Sequence, residues 1–110
     1  MAIIRGMQPP VVLATHEWSQ PATDARAGAP VAVLVHGVTG WHRTWWRVGP
    51  ALAERGWRAV AVDQRGHGHS PRIDGHATVG DFAADLAASI ERIGAPVDAL
   101  IGHSLGAPMR

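Results

Sequence analysis

Three short apolar runs, separated by longer mixed segments, constrain the fold of this chain more than any other feature. They are VAVLV at residues 31–35, RAVAVD at 58–63 and VDALIG at 97–102. Strands that are apolar on both faces are typical of a parallel sheet with helices on both sides. Helical patterns occupy the two intervals, and this alternation favours right-handed parallel crossovers. The sequence therefore predicts a doubly wound, mostly parallel α/β sheet.

The predicted strands lie near residues 11–18, 31–36, 58–63 and 97–102, and the helices near 45–55 and 78–93. The second helix has the stronger signal, because apolar residues recur along it at helical spacing. Thr78 and Asp81 resemble a capping box, and Gly94 follows as a stop. The apolar positions of this helix are Val79, Phe82, Ala83, Leu86, Ile90 and Ile93.

The shorter helix carries a proline and two tryptophans. Thr44 is a candidate N-cap and Gly56 a candidate stop. We expect Pro50 in the first turns or at a kink, because it lacks the N–H that the helix interior uses. Trp45 and Trp46 are interpreted as packing between this helix and the sheet.

The pentapeptide GHSLG, at residues 102–106, follows the last apolar run directly. A serine between two glycines, placed where a strand ends and a helix begins, is the pattern of a nucleophile elbow. Gly102 and Gly106 remove side chains where strand and helix must pass closely. The turn predicts Ser104 as an exposed nucleophile and the N–H of Leu105 as a donor to the reacting carbonyl.

A second candidate donor follows the first buried strand. His36 and Gly37 end that strand, and the amide of Val38 is then able to face the same point as the amide of Leu105. Two such donors form an oxyanion hole. We expect His36 and His103 to shape the backbone rather than to act as bases.

LVHGVTG (34–40), VDQRGHGHS (62–70) and GHSLG (102–106) resemble, in this order and spacing, the N-terminal half of the α/β-hydrolase family. The resemblance implies the α/β-hydrolase fold, with Ser104 as nucleophile, Val38 and Leu105 as oxyanion donors, and a triad in the order serine, acid, histidine. It implies no cofactor. The residues that support the elbow and its loops are His36, Gly37, Gly102, His103 and Gly106.

The resemblance also bears on the remaining polar and aromatic candidates. Asp63 and Arg65 match a loop that is mainly structural in the family, so we expect them to brace it. Trp41 is a candidate wall of the substrate pocket. His67, His69 and His76 do not have the spacing of metal ligands, so no metal site is predicted.

The family's acid and base follow the nucleophile, and residues 105–110 contain neither. We therefore expect one partial domain over 1–110, truncated just after the elbow and inactive alone, from a serine hydrolase acting on an ester or related acyl bond. A serine argues against the dehalogenase and epoxide hydrolase branches, whose ester intermediate needs a carboxylate. The alternatives are a non-catalytic interaction protein of this fold, a cofactor-free haloperoxidase and a carbon–carbon bond hydrolase.

Composition limits the partners and the compartment. Hydrophobic residues make up 46% of the chain and charged residues 17%, which indicates a globular protein. A formal net charge of +1 predicts no nucleic-acid partner, and the absence of cysteine excludes disulfides and thiol chemistry. With no signal peptide or membrane span in the sequence, we expect a cytoplasmic protein that acts on a small molecule; its oligomeric state is left open.

Overall fold

The computed structural model describes residues 9–21, 28–37, 39–72 and 77–103. Four strands form the sheet: β1 (Thr15–Trp18), β2 (Val31–Val35), β3 (Arg58–Val62) and β4 (Ala99–Gly102). A 3-10 helix at His42–Trp45 and helix α1 (Val48–Glu54) connect β2 to β3, and helix α2 (Val79–Ile93) precedes β4. The alternating order predicted from the three apolar runs is confirmed.

The strand order is β1-β3-β2-β4, and both neighbours of β2 run parallel to it. In the central register, Val33 lies beside Val60 of β3 and Leu100 of β4. Strand β1 pairs antiparallel with β3. Strand β4 is an edge of the sheet that the described residues form.

Each face of the sheet has its own apolar layer, because successive strand residues point to opposite sides. On the α2 face the buried residues are Leu13, Val31, Val33, Val35, Val60, Val62 and Leu86. On the α1 face they are Ala32, Leu34, Trp45, Ala59 and Ala61. Helices on both faces explain why β2 is buried at every position.

The first strand is shorter than predicted: it begins at Thr15 rather than near residue 11. Two backbone amides that would extend the ladder are donated to side chains elsewhere in the fold. The N–H of Val11 donates to Asp85 at 2.9 Å, and that of Ala14 donates to the hydroxyl of Ser70 at 2.8 Å. Side-chain acceptors thus replace the sheet as partners of these two amides, although the carbonyl of Ala14 still accepts from the amide of Asp63 at 2.9 Å.

The predicted helix near 45–55 is divided into the 3-10 helix and α1. Thr44 lies inside the 3-10 helix, so its prediction as an N-cap is wrong. Pro50 is the third residue of α1, within the first turn, where a missing N–H costs no intrahelical bond. Trp45 is buried as predicted, whereas Trp46 is 61% exposed and its assignment to helix-to-sheet packing is wrong.

Helix α2 begins and ends as predicted. Thr78 and Asp81 form the reciprocal capping box, and Gly94 ends the helix at a φ of 72°. The buried face differs from the predicted apolar stripe, because Val79 and Ala83 are exposed while Asp81, Asp85 and Ser89 are buried. Burial of Asp81 and Asp85 is possible because each carboxylate accepts hydrogen bonds. The contacts of Asp85 are described below.

Candidate active site

The carboxyl ends of three parallel strands meet at one edge of the sheet. His36 and Gly37 follow β2, Asp63 follows β3, and His103 follows β4. The N–H of His103 donates to the carbonyl of Val35 at 3.0 Å, which ties the exit of β4 to the end of β2. This edge is where ligands bind in open α/β sheets, at the C-terminal ends of the strands.

Several predicted site residues lie outside the described residues: Val38, Ser104, Leu105 and Gly106. Their roles stay predictions. Gly37, which is buried, precedes Val38, and Gly102, the last residue of β4, pairs with Val35. The exposed His103 follows Gly102.

His36 is a fully buried imidazole that connects the ends of β2 and β3. Its Nε2 accepts from the backbone N–H of Gln64 at 2.9 Å, and the Gln64 side-chain amide donates to the His36 carbonyl at 2.8 Å. An amide N–H can only donate, so the ring proton must be on Nδ1, which then donates to the Gly37 carbonyl at 2.6 Å. Burial lowers the pKa of His36 below its ordinary value of 6.5, because a buried imidazolium loses solvation.

Asp63 is a buried carboxylate that accepts from two neighbouring segments. The backbone amides of His42 and His69 donate to it at 2.6 and 3.0 Å, and the His42 ring Nδ1 lies 3.0 Å from its Oδ1. Burial alone would raise the pKa of Asp63, but the combined hydrogen bonds from His69 and His42 outweigh it and lower the pKa. Asp63 is thus an anionic anchor between the 3-10 helix and the loop after β3.

The loop at residues 63–70 is also fixed from two further sides. Arg65 makes a two-point ion pair with Asp85 of α2, at 2.7 and 2.8 Å, and both side chains are buried. The hydroxyl of Ser70 donates to the carbonyl of Asp63 and accepts from the amide of Ala14. The described contacts of Asp63 and Arg65 are those of the bracing role that the sequence predicted.

Sequence reasoning missed a group of stacked rings beside this edge. The His42 ring stacks on that of His16 of β1, with centroids 5.1 Å apart, and lies 5.8 Å from His69. Trp41, the predicted pocket wall, is half-buried and its ring lies 4.7 Å from His42. The signal available was the alternation in β1, which places His16 and Trp18 on one face of the strand.

The described residues contain neither a candidate metal site nor a helix that could span a membrane. Within the ranges the structure describes, no group of three or more histidine, cysteine or acidic residues is arranged to hold a metal ion. In the same ranges, no helix is both long and apolar enough to cross a membrane.

Comparison with known proteins identifies the family. A family model described as the alpha/beta hydrolase fold matches residues 30–109. Epoxide hydrolase B of Mycobacterium tuberculosis is 35% identical over 82 residues, covering 73% of this chain and 23% of the relative. A putative carbamate hydrolase of Enterobacter cloacae is 35% identical over 81 residues, covering 73% and 30%. The thioesterase domain from the curacin biosynthetic pathway superposes with a TM-score of 0.75 at 29% identity, covering 88% of this chain and 34% of that domain.

The chain thus spans about a quarter to a third of the length of these proteins. Hydrolases, including epoxide and carbamate hydrolases, are its relatives in sequence. The doubly wound fold, the order of the motifs and the family model agree. This chain belongs to the α/β-hydrolase family.

Proposed function

We propose that this chain supplies the nucleophile and the oxyanion hole of a serine hydrolase that cleaves an ester or related acyl bond of a small molecule. One observation carries the proposal: a serine flanked by GH and LG follows β4, the strand that lies parallel to β2 and is tied to its end through His103 and Val35. His103 and Gly37, the described residues that precede Ser104 and Val38, therefore lie at the same edge of the sheet, after adjacent strands.

In the proposed reaction the Ser104 hydroxyl attacks the carbonyl carbon and transfers its proton to a base. The oxyanion accepts hydrogen bonds from the amides of Val38 and Leu105, and losing one such donor costs about 2.7–4 kcal/mol of transition-state stabilisation. Collapse expels the alcohol or amine, and water then hydrolyses the acyl-enzyme. We expect the base and its acidic partner to be supplied from outside residues 1–110.

The contacts of His36 support this assignment. The carbonyl of Gly37 accepts from the His36 ring and from the amide of Gly40, at 2.6 and 3.0 Å. The amide of Val38 belongs to the same planar peptide unit as this carbonyl. Holding the carbonyl is the role that we assign to His36 in support of the oxyanion hole.

The relatives named epoxide hydrolases favour a second candidate, the opening of an epoxide ring. A carboxylate that opens an epoxide forms an ester, which water then hydrolyses. A serine that opens an epoxide would form an ether, which has no carbonyl for water to attack. Ser104 at the nucleophile position therefore favours an acyl substrate.

Labelling with a fluorophosphonate probe tests the proposal in the hydrolase expressed from its complete gene. We expect the probe to attach at Ser104, with labelling lost in Ser104→Ala and kept in the matched control Ser19→Ala. The same enzyme should turn over p-nitrophenyl acetate and not styrene oxide, and residues 1–110 alone should turn over neither. Equal labelling of Ser104→Ala, or turnover of styrene oxide alone, would contradict the proposal.

A further inference from the structure

A cleft of about 610 Å³ opens beside the face of β1 that carries His16 and Trp18, and its described lining is aromatic and basic. The residues that line it are His16, Trp18, His42, Arg43 and Trp46, named here the Trp46 cleft. The volume falls within the range of about 300–1,000 Å³ that small-molecule sites occupy. None of the five residues is acidic.

The Trp46 cleft lies away from the strand that leads to Ser104. Strand β1, which contributes His16 and Trp18, is at the opposite end of the four-strand order from β4. Neighbouring strands are about 4.8 Å apart, so three spacings separate these two strands by about 14 Å. The cleft is therefore separate from the turn after β4, although two of its walls, His16 and His42, belong to the ring group beside the carboxyl edge.

Contacts from outside the cleft hold three of its walls in place. The carboxylate of Asp63 holds the His42 ring at 3.0 Å. The guanidinium of Arg47 packs 4.6 Å from the centre of the exposed Trp46 ring. The guanidinium of Arg43 packs 4.9 Å from the centre of the Trp41 ring. Walls that are ordered before binding lower the entropic cost of taking up a ligand.

The charge and shape of the lining define the ligand. Trp46 is exposed, and Trp18 is half-buried with Gly49 of α1 against its benzene ring, so Trp46 and the remaining open part of Trp18 are able to stack on a planar ring. Among the described residues Arg43 forms no ion pair, and a free guanidinium recognises carboxylates through two parallel hydrogen bonds. Asp63, the carboxylate in contact with His42, is buried and already accepts several hydrogen bonds, so it does not compete for Arg43.

We propose that the Trp46 cleft is a binding site for a planar aromatic carboxylate, with Arg43 pairing with the carboxylate and Trp46 and Trp18 stacking on the ring. The site requires no turnover, so its occupancy is independent of the chemistry proposed for Ser104.

Calorimetric titration of the full chain with 2-naphthoate tests this site. We expect saturable one-to-one binding, with affinity about tenfold lower for the neutral analogue 2-naphthalenemethanol, because the charged hydrogen bonds to Arg43 are lost. Arg43→Gln should lower the affinity for 2-naphthoate by a similar factor, and Trp46→Ala by at least about fivefold. Both side chains are exposed, so circular dichroism of the variants should match that of the wild type.

Arg92→Gln is the matched control, because Arg92 is an exposed arginine of α2 on the other face of the sheet. It should leave the affinity for 2-naphthoate unchanged. The proposal is overturned if 2-naphthoate shows no saturable binding, or if the neutral analogue binds equally well. It is also overturned if Arg43→Gln and Arg92→Gln weaken binding equally, since that pattern would indicate a non-specific charge effect.

Discussion

Replacing Asp85 by asparagine should destabilise the fold far more than the loss of one surface charge. The carboxylate accepts two hydrogen bonds from Arg65 and one from the amide of Val11, and only 1% of the Asp85 side chain and 4% of the Arg65 side chain are exposed. Asparagine keeps the shape but removes the charge that compensates the buried guanidinium. Breaking a buried pair in this way costs about 3–5 kcal/mol. A domain of this size has a total free energy of unfolding of about 5–15 kcal/mol.

Urea denaturation, followed by tryptophan fluorescence, measures the loss. With a slope of about 1–3 kcal/mol/M, a loss of about 3 kcal/mol lowers the midpoint by about 1–3 M. The matched control is Glu17→Gln, which breaks the ion pair between Glu17 and Arg58. That pair also has two hydrogen bonds, but the Arg58 side chain is 18% exposed and the Glu17 side chain 24% exposed. Such a pair contributes about 1 kcal/mol or less.

The double variant Arg65→Met with Asp85→Leu separates the pair's net contribution from the cost of breaking it. We expect it to be more stable than Asp85→Asn, because it leaves no unpaired buried charge. If Asp85→Asn and Glu17→Gln lower the midpoint equally, the reasoning from burial is refuted.

Three further predictions concern His36, Gly68 and the two adjacent tryptophans. Because the pKa of His36 is lowered in the fold, the unfolded chain binds a proton at higher pH than the folded protein, so the free energy of unfolding should fall as the pH drops below about 6.5. Over this pH range the urea midpoint of the wild type should fall more than that of His36→Asn. Equal falls would count against a neutral His36 imidazole. Gly68→Ala should destabilise the fold more than Gly66→Ala. Both glycines have positive φ, but only at Gly68 would an added Cβ clash with the Asp63 carboxylate. Equal urea midpoints for the two variants would contradict this clash. Trp45→Ala should lower the free energy of unfolding by about 3–5 kcal/mol and Trp46→Ala by less than about 0.5 kcal/mol, since Trp45 is 7% exposed and Trp46 is 61% exposed. Thermal melts in which the two variants show similar shifts would refute this burial assignment.

The strands and α2 were predictable because their signals are local. Valine occupies three of the five positions of β2, and the Thr78 and Asp81 pair and Gly94 mark the ends of α2. The start of β1 was not predictable, because the amides of Val11 and Ala14 find partners 74 and 56 residues away. No local pattern carries information about such partners.

Parts of the candidate site were likewise predictable from the sequence, and other parts were not. The expectation that His36 shapes the backbone rather than acting as a base came from the family resemblance, because the family's base arrives from a distant loop. The sequence did not indicate that His42 would face Asp63, because this pairing depends on how the 3-10 helix meets the loop after β3. The exposure of Trp46 beside the buried Trp45 was predictable, because consecutive residues of a helical turn lie about 100–120° apart around the axis and cannot both face the sheet.

The bracing of the loop at 63–70 has a consequence for the order of folding. This loop has contacts to Ala14 just before β1, to the 3-10 helix and to α2, through Ser70, Asp63 and Arg65 respectively. Fixing the loop therefore requires three chain closures across 20 to 56 residues, whereas pairing β2 with β3 requires one closure, from residue 31 to residue 58. Pulse-labelling hydrogen exchange should therefore find the amides of Gly66 and Ser70 protected later than those of β2 and β3. The carboxyl edge of the sheet would then be completed late in folding, in chains whose β2–β3 core is already paired.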